Sequence, residues 1–326
     1  MWANVYTMSM HIAFFETEPW EKRYFIKHLA HHALTFFPEP LRCENAQKVR
    51  DAQALSVFIY SKLDAETLSQ LPKLRTIATR STGMDHIDTT YCTDHTIRVF
   101  NVPTYGVHTV AEHVFALMLS LSRRIPESTE RTKNSNFSSE GLVGLELYGK
   151  TLGILGMGNI GVRVSEIAHG FGMKVFAFNR TPKNIPNITF APLNDVLQKA
   201  DIITIHLPLT PETHHLINRN NIGTLKKGVI LINTARGPII ETEALVYALQ
   251  NGLIGGAGID VLEEEGIIRE ERELLSNQFV DLVSAKKMLL GHVLQDMPSV
   301  IITPHNAFHS KEALREINEL TVKNLL

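Results

Sequence analysis

The chain has 326 residues, which at roughly 150 residues per domain indicates two hydrophobic cores. Its 32 basic and 34 acidic residues give a net charge of −2 without a long run of one sign, which argues against a nucleic-acid-binding protein. No apolar stretch reaches the roughly 18 residues of a membrane-spanning helix, and the two cysteines are too few for a disulfide framework, so we expect a cytoplasmic protein.

Apolar runs alternate with amphipathic ones along the chain, which is typical of parallel sheets covered by helices. The first group of elements is, in chain order, a strand near His11–Phe15, a helix near Glu21–His31, a strand near Ser56–Tyr60, a helix near Ala65–Leu71 and a strand near Thr76–Thr79. We expect these elements to form the first part of one domain, residues 1–104.

A long apolar helix is predicted over Thr109–Arg124, between the two groups of strands. The segment Val107–Leu121 carries more apolar residues than one small sheet edge is expected to cover. This excess suggests that the region forms the two-fold interface of a homodimer.

A glycine-rich loop follows the apolar strand predicted over Thr151–Leu155. Gly156, Gly158 and Gly161 have the G-x-G-x-x-G spacing, and a helical stretch to Gly170 and a second strand, Lys174–Phe178, complete a βαβ unit. The first glycine allows the tight turn, the second lets backbone approach a pyrophosphate, and the third lets the helix pack on the sheet. The pattern predicts a dinucleotide site that includes Asn159 and Ile160 at the start of the helix.

The second strand ends at a position where NAD-binding domains carry an acid for the ribose hydroxyls. Here Asn179 and Arg180 follow the strand, and Thr181 comes next. A neutral side chain removes repulsion against a 2′-phosphate, and the guanidinium can pair with one, so NADP is favoured slightly. The alternative is NAD, with Asn179 bound to a 2′-hydroxyl and Arg180 directed to solvent or against the adenine.

The second sheet is predicted to contain six strands, as in a complete doubly wound dinucleotide fold. They are Thr151–Leu155, Lys174–Phe178, Ile202–His206, Val229–Asn233, Gly256–Val261 and Val300–Thr303. We expect this dinucleotide-binding domain to span residues 105–303. A last helix over Ser310–Leu326, with Ser310 as its N-cap, is expected to return to the first domain as residues 304–326.

Several separated blocks resemble the D-isomer-specific 2-hydroxyacid dehydrogenases, most closely the D-lactate dehydrogenase branch. Besides the glycine loop, the blocks are Ser81–Asp88, Asn101–Gly106 with Ala111–His113, His206–Thr213, Asn233–Gly237, Ala257–Val261 with Glu265, and Thr303–Phe308. The resemblance implies two doubly wound α/β domains, a Rossmann cofactor domain and a flavodoxin-like substrate domain, with a cleft between them. It also implies a homodimer.

The resemblance implies three catalytic residues. Reduction of a 2-oxo acid by hydride transfer develops alkoxide charge on the carbonyl oxygen, and a positioned acid delivers a proton to it. His305 matches that acid, Glu265 the carboxylate that orients the ring and stabilises imidazolium, and Arg236 the guanidinium that clamps the substrate carboxylate. No histidine pair has the spacing of a metal site, so we expect no metal.

The resemblance also assigns binding residues. For the substrate these are backbone amides of the turn Thr82, Gly83 and Met84, together with Tyr105, Arg236 and Phe308. Beyond the glycine loop, the cofactor-side candidates are Thr109, His206, Pro208, Thr213, Thr234 and Asp260.

The expected reaction is the NAD(P)-dependent reduction of pyruvate to D-lactate. Reduction of glyoxylate, hydroxypyruvate or a branched 2-oxo acid is the alternative, and a dinucleotide-sensing corepressor-like protein is a third reading. Gly266 departs from the proline that the family usually has after the catalytic glutamate. The long interval between Glu265 and His305 resembles the lactate-type branch, which has a helical insertion there, at Arg269–Leu290 in this chain.

Overall fold

The computed structural model describes residues 9–181, 183–263 and 282–326, with side chains of the last range from residue 289 onward. The chain divides into two compact units, Met1–Tyr105 with Ser310–Leu326, and Gly106–His309. Glu265, Gly266 and most of the predicted insertion Arg269–Leu290 lie outside the described residues. Among the described residues, no helix is both long enough and apolar enough to cross a membrane.

The first unit contains a five-stranded parallel sheet. Its strands are β1 (His11–Phe14), β2 (Ala33–Phe36), β3 (Ala54–Val57), β4 (Thr76–Thr79) and β5 (Arg98–Phe100). The order across the sheet is β2-β1-β3-β4-β5, which is the flavodoxin-like order 2-1-3-4-5. This confirms the fold class expected for the first domain.

Helices cover both faces of this sheet because alternate strand residues enter two separate cores. Ala13 and Leu55 lie in one core, and Ile12 and Ala54 lie in the other. The helices are α1 (Pro19–His28), α2 (Ala65–Ser69), α3 (Thr89–Asp94) and the 3₁₀ segment Cys43–Val49.

The final helix, α10 (Lys311–Leu325), packs against β4 and α1. Ser310 is its N-cap, and the serine hydroxyl accepts a hydrogen bond from the amide of Ala313 at 3.1 Å. Leu325 lies in the same core as Phe14 and Ala78. The C-terminal segment therefore completes the first unit, as the sequence predicts.

The second unit contains a seven-stranded parallel sheet. Its strands are β6 (Thr151–Leu155), β7 (Lys174–Phe178), β8 (Ile188–Phe190), β9 (Ile202–Ile205), β10 (Val229–Asn233), β11 (Ile254–Ile259) and β12 (Val300–Ile302). The order β8-β7-β6-β9-β10-β11-β12 corresponds to 3-2-1-4-5-6 with one further strand at the end, which is the Rossmann order. The six predicted strands are present, and β8 is the seventh.

The helices of the second unit pack on this sheet, except Ile125–Lys133, which packs against the helix before it. They are α4 (Val107–Ser122), α5 (Ile125–Lys133), α6 (Asn159–Gly170), α7 (Leu193–Lys199), α8 (Thr242–Gln250) and α9 (Leu282–Gln295). On α4, the buried side chains Val114, Phe115, Leu117 and Met118 contribute to a core with β6 and β10 residues. The apolar side chains of this helix are thus mostly covered by its own chain, and the homodimer stays a prediction.

The limits of the two units along the chain lie close to the predicted domain boundaries. The predicted limits are residues 104/105 and 303/304, whereas the units divide after Tyr105 and after His309. The second limit lies further along because Asp260, which follows β11, binds the backbone of Asn306 and Ala307. Residues 304–309 therefore stay with the cofactor-binding sheet.

Candidate active site

The glycine loop joins β6 to α6, and two of its glycines permit close backbone packing. Gly156 has a φ of +104°, and a Cβ there would lie 2.5 Å from the carbonyl oxygen of His206. A Cβ at Gly161 would overlap the carbonyl oxygen of Gly156. At Gly158, by contrast, a Cβ would meet no described atom within 4 Å. The loop is therefore tight on its protein side and open at Gly158.

That open space lies at the N-terminus of α6. Gly158 is the N-cap and has no side chain with which to accept hydrogen bonds from the first-turn amides of Asn159, Ile160 and Gly161. Uncapped amides and the helix dipole favour an anion at this position. The local geometry fits the pyrophosphate of a dinucleotide.

Asn179 links the glycine loop to the turn after β7 through the two ends of its amide. Its Oδ1 accepts a hydrogen bond from the amide of Met157 at 3.2 Å, and its Nδ2 donates to the carbonyl oxygen of Thr181 at 2.7 Å. Lys183, which the sequence analysis missed, donates from Nζ to the carbonyl oxygen of Met157 at 2.8 Å. With the exposed Arg180, this places two cationic residues next to the end of β7.

Thr213 stabilises the turn after β9 with hydrogen bonds inside the turn. The hydroxyl of Thr213 donates to the carbonyl oxygen of Pro208 at 2.6 Å and accepts from the amide of Thr210 at 2.8 Å. The Thr210 hydroxyl lowers the pKa of Glu212, and the charge of Arg180 adds a smaller effect in the same direction. Arg180 therefore has an acidic neighbour, while Thr213 shapes the turn that carries the exposed Pro208.

His206 directly follows β9 and is neutral at physiological pH. Its Nε2 lies 3.0 Å from the Thr204 hydroxyl, and burial among protein atoms lowers the pKa of the imidazole to about 3. The backbone of His206 lies beside Gly156 of the glycine loop, and its ring forms hydrogen bonds without adding a charge.

Arg236 lies on a turn after β10 that Asn233 organises. The side chain of Asn233, which is 1% exposed, donates to the carbonyl oxygen of Arg236 at 2.9 Å and accepts from the amide of Ala235 at 3.0 Å. Among the described residues, the buried hydroxyl of Thr234 has no hydrogen-bond partner. A hydroxyl without a protein partner at the carboxyl ends of the strands is consistent with a role in ligand binding.

Gly237 brings the Arg236 turn against the segment that follows β11. A Cβ at Gly237 would overlap the backbone carbonyl of Leu262 and would lie 2.5 Å from the amide nitrogen of Glu263. Glu265 itself lies outside the described residues. The chain leading to it nevertheless passes directly beside the arginine turn.

Glu263 anchors this segment. Its Oε2 accepts hydrogen bonds from the amide and the hydroxyl of Thr242 at 3.2 and 2.7 Å, and its Oε1 lies 2.9 Å from Nε2 of His215. His214, His215 and Glu263 offer ligand atoms within 4.8 Å of one another. The hydrogen bonds of Glu263 account for this grouping as a structural link to α8, and the absence of a metal stays a prediction.

The loop after β12 is held by Asp260, which is 2% exposed. One carboxylate oxygen accepts from the amide of Asn306 at 3.0 Å, the other accepts from the amide of Ala307 at 2.9 Å, and the backbone carbonyl accepts from the amide of His305 at 2.9 Å. His305 has a φ of +52°, a left-handed conformation that is uncommon for residues other than glycine. The loop thus fixes His305 in a strained backbone conformation.

In the first unit, the candidate substrate turn follows β4. The Ser81 hydroxyl donates to the carbonyl oxygen of Gly83 at 2.7 Å, and the Thr82 hydroxyl donates to that of Val102 at 3.0 Å. Thr82 and Met84 are exposed. The turn is rigidly tied to the chain after β5 and still presents part of its surface.

A buried arginine supports this turn. Arg80 is 2% exposed and donates to the carbonyl oxygens of Phe15 and Glu16 at 2.8 and 2.7 Å, and its Nε lies 3.4 Å from the Glu21 carboxylate. No motif or spacing in the sequence predicts that this arginine is buried.

The three remaining candidates fall at the ends of the two units. Tyr105 is half-buried in the first unit, Thr109 lies in the first turn of α4, and Phe308 is half-buried in the second unit. A Cβ at Gly106 would lie 3.6 Å from Cβ of Phe308. Their roles in binding stay predictions.

On the second sheet, the functional candidates share one edge. Arg236, Asp260 and His305 follow β10, β11 and β12, three consecutive strands, at their carboxyl ends, where doubly wound sheets bind ligands. A Rossmann domain with an open glycine loop, an arginine and a histidine at that edge defines a dinucleotide-dependent oxidoreductase.

Comparison with known proteins identifies the family within this class. Residues 115–307 match the family model described as D-isomer specific 2-hydroxyacid dehydrogenase, NAD binding domain. The chain is 37% identical to 2-hydroxyacid dehydrogenase homolog 1 of Schizosaccharomyces pombe, over 97% of this chain and 95% of that protein. It is 36% identical to glyoxylate reductase of Thermofilum pendens, over 88% and 81%.

A solved structure agrees. D-Lactate dehydrogenase from Aquifex aeolicus, complexed with NAD and lactic acid, matches with a TM-score of 0.89 and 36% identity, over 96% of this chain and 94% of that chain. The protein belongs to the D-isomer specific 2-hydroxyacid dehydrogenases, and its cofactor is a nicotinamide dinucleotide.

Proposed function

We propose that the protein reduces a small 2-oxo acid to the corresponding D-2-hydroxy acid, and that pyruvate is its preferred substrate. The observation that carries this proposal is the position of His305. A histidine is held in a strained conformation at the carboxyl edge of the cofactor-binding sheet, two strands from Arg236.

In this reaction a bound dihydronicotinamide supplies the hydride to the carbonyl carbon. His305 donates a proton to the carbonyl oxygen as negative charge develops on it, because imidazolium can deliver a proton near neutral pH. Arg236 holds the substrate carboxylate with its planar guanidinium and orients the carbonyl. Glu265 is proposed as the carboxylate that stabilises the protonated ring.

The substrate side is proposed to be formed by Thr82, Gly83 and Met84, with Tyr105 and Phe308 limiting the space for the side chain. Backbone amides in a glycine-containing turn bind carboxylates without a charged residue. The hydrogen bonds of Ser81 and Thr82 support this role, since they keep the turn fixed while part of it is exposed.

A panel of 2-oxo acids tests the substrate, with loss of nicotinamide absorbance as the signal. We expect pyruvate to give the highest kcat/KM, and a clear preference for glyoxylate, hydroxypyruvate or a branched acid would replace that assignment. His305→Gln should lower reduction by roughly 10²–10⁴-fold while dinucleotide binding is kept. Arg236→Lys should chiefly raise KM for the acid, because the charge remains and the fork is lost. A folded His305→Gln protein with the wild-type rate would overturn the catalytic assignment.

For the cofactor, we propose that NADPH is used at least as well as NADH. Two observations support this. Asn179 is neutral and accepts from the glycine loop at Met157, and Lys183 donates to the carbonyl oxygen of Met157 with the exposed Arg180 nearby in the chain. Cationic side chains at this end of the strand can pair with a 2′-phosphate.

The cofactor proposal is tested by comparing NADPH and NADH in wild type, Arg180→Ala and Lys183→Ala. Each tenfold loss of NADPH preference corresponds to about 1.4 kcal/mol, which one phosphate–guanidinium contact can supply. Lys199→Ala, which removes an exposed lysine paired with Asp195, is the matched control. A strong NADH preference that neither substitution changes would refute the proposal.

The homodimer is proposed on different residues from those of α4. Phe137, Val143 and Tyr148, which lie between α5 and β6, are 82%, 87% and 79% exposed, an unusual exposure for three large apolar side chains in one segment. A second copy of the chain is expected to cover them. Light scattering should give twice 36.6 kDa. Phe137→Asp should shift the mass toward the monomer, and Ile26→Asp on α1 should not.

A further inference from the structure

The carboxylate of Asp260 has one more partner besides the backbone of the His305 loop. The hydroxyl of Thr303 lies 2.5 Å from Asp260 Oδ1, the same oxygen that accepts the amide of Asn306. Thr303 is in turn 3.1 Å from Nε2 of His113, which lies 3.6 Å from Asp260 Oδ1. His113 belongs to α4, so the helix reaches the loop through two polar side chains.

The number of available protons determines the direction of these hydrogen bonds. An ionised carboxylate can only accept, so the single hydroxyl proton of Thr303 goes to Asp260. The threonine oxygen can then only accept from His113, which requires a proton on Nε2 of the imidazole. The chain of donors therefore runs from His113 through Thr303 to Asp260.

Hydrogen bonds to a charged group are stronger than those between neutral groups. Asp260 is almost fully buried, so its orientation is decided by its protein partners rather than by water. Two of these partners are amides of the His305 loop, and the third is the Thr303 hydroxyl. The Asp260 carboxylate thus binds both the loop that carries His305 and the Thr303 hydroxyl, which is linked to His113.

We propose that His113 and Thr303 are positioning residues, which hold the Asp260 carboxylate in the orientation that fixes the loop carrying His305. The inference rests on the proposed role of His305 as the proton donor. Because His305 has a left-handed backbone, its conformation depends on the surrounding hydrogen bonds, and a rotated Asp260 releases it. A shift of about 1 Å in a reacting group lowers rates by about 10²-fold.

Paired substitutions test the proposal. Thr303→Val keeps the shape and removes the hydroxyl, whereas Thr303→Ser keeps the hydroxyl. We expect Thr303→Val to lower kcat about 10- to 100-fold, with KM for the acid and dinucleotide affinity within about twofold. Thr303→Ser should restore most of the rate. For the histidine, His113→Leu should resemble Thr303→Val, and His113→Gln, whose amide donates from a similar position, should recover part of the loss.

The double variant separates positioning from general destabilisation. If both residues act through one carboxylate, His113→Leu combined with Thr303→Val should lower kcat little more than either change alone. Multiplication of the two losses would contradict a shared role. Dinucleotide binding, measured for every variant, shows which proteins are folded.

Nitrogen NMR of ¹⁵N-histidine-labelled protein gives an independent readout. The His113 signal is assigned as the one that is absent from the spectrum of His113→Gln. Its chemical shift should show a protonated Nε2, and Thr303→Val should change that shift. A His113 protonated only on Nδ1, or a Thr303→Val protein with wild-type kcat, would overturn the inference. Failure of the proposed function is recognised separately, because His305→Gln would then keep the wild-type rate.

Discussion

Substituting Gly158 by alanine tests whether the open space beside the glycine loop receives the dinucleotide. The backbone angles of Gly158, φ −79° and ψ −165°, are accessible to alanine, and the added Cβ meets no described atom within 4 Å. The unliganded variant should therefore be as stable as wild type, or more stable by about 0.4–1 kcal/mol, because alanine restricts the unfolded chain.

Binding should respond in the opposite way. The methyl group of Gly158→Ala occupies the space through which a pyrophosphate approaches the first-turn amides of α6. Loss of one hydrogen bond to a charged group is worth about 1.5–3 kcal/mol. At about 1.4 kcal/mol per factor of ten, the dissociation constant should rise roughly 10- to 100-fold for both NADH and NADPH.

Gly161→Ala provides the matched control. Its Cβ overlaps the carbonyl oxygen of Gly156, which is backbone and cannot rotate away. The resulting shift of α6 should destabilise the unliganded protein by roughly 1–3 kcal/mol, less the gain of about 1 kcal/mol for alanine in a helix. Urea unfolding measures stability, and nicotinamide fluorescence measures binding. A Gly158→Ala protein that binds both dinucleotides within twofold of wild type would refute the reasoning.

Three further substitutions have defined outcomes. Because burial lowers the pKa of His206 to about 3, the folded protein leaves this ring neutral while the unfolded chain binds a proton below about pH 6.5. The free energy of unfolding of wild type should thus fall relative to that of His206→Gln as pH falls from 6 to 4, by at most about 1.4 kcal/mol per pH unit. Urea unfolding measures this difference, and equal pH dependence of the two proteins would contradict it. Gly237→Ala should lower kcat and keep dinucleotide affinity, since its Cβ displaces Leu262; unchanged steady-state kinetics would exclude that coupling. Arg80→Met should cost about 3–5 kcal/mol because it leaves buried Glu21 and two carbonyls without their partner, and an unaltered urea midpoint would contradict it.

The strands that sequence analysis missed share a physical property. β2 has no fully buried residue, and β5 and β8 have three residues each. Edge strands of this kind lack the continuous apolar run by which buried parallel strands are recognised. The central strands, such as β9 and β10, are buried throughout and were predicted nearly to the residue.

One predicted strand was displaced for a different reason. The sequence favours Ser56–Tyr60, but β3 ends at Val57, because the amides of Phe58 and Tyr60 donate to the carboxylate of Glu16. Glu16 is more than forty positions away in the sequence. A local pattern cannot report an acceptor that only the fold brings near.

The same distinction applies to the site. The position of the candidates Arg236 and His305 at one edge could be predicted because parallel strands bring their carboxyl ends together, and their roles stay predictions. Lys183 and Thr303 contact residues that are distant in the sequence, Met157 and Asp260, and no spacing rule predicts these contacts. Motifs therefore locate the chemical groups, while the side chains that orient them emerge from packing.

Asn179 shows why the residue at the end of the second strand is an ambiguous guide to the cofactor. An aspartate there could still accept from the amide of Met157, but it could not donate to the carbonyl oxygen of Thr181, as Asn179 does at 2.7 Å. The asparagine therefore removes a negative charge and at the same time ties down the residue that follows Arg180. An asparagine at this position thus affects both the hydrogen bonds of the turn and the charge beside the ribose site, and the proposed use of NADPH rests on Arg180 and Lys183 as well as on Asn179.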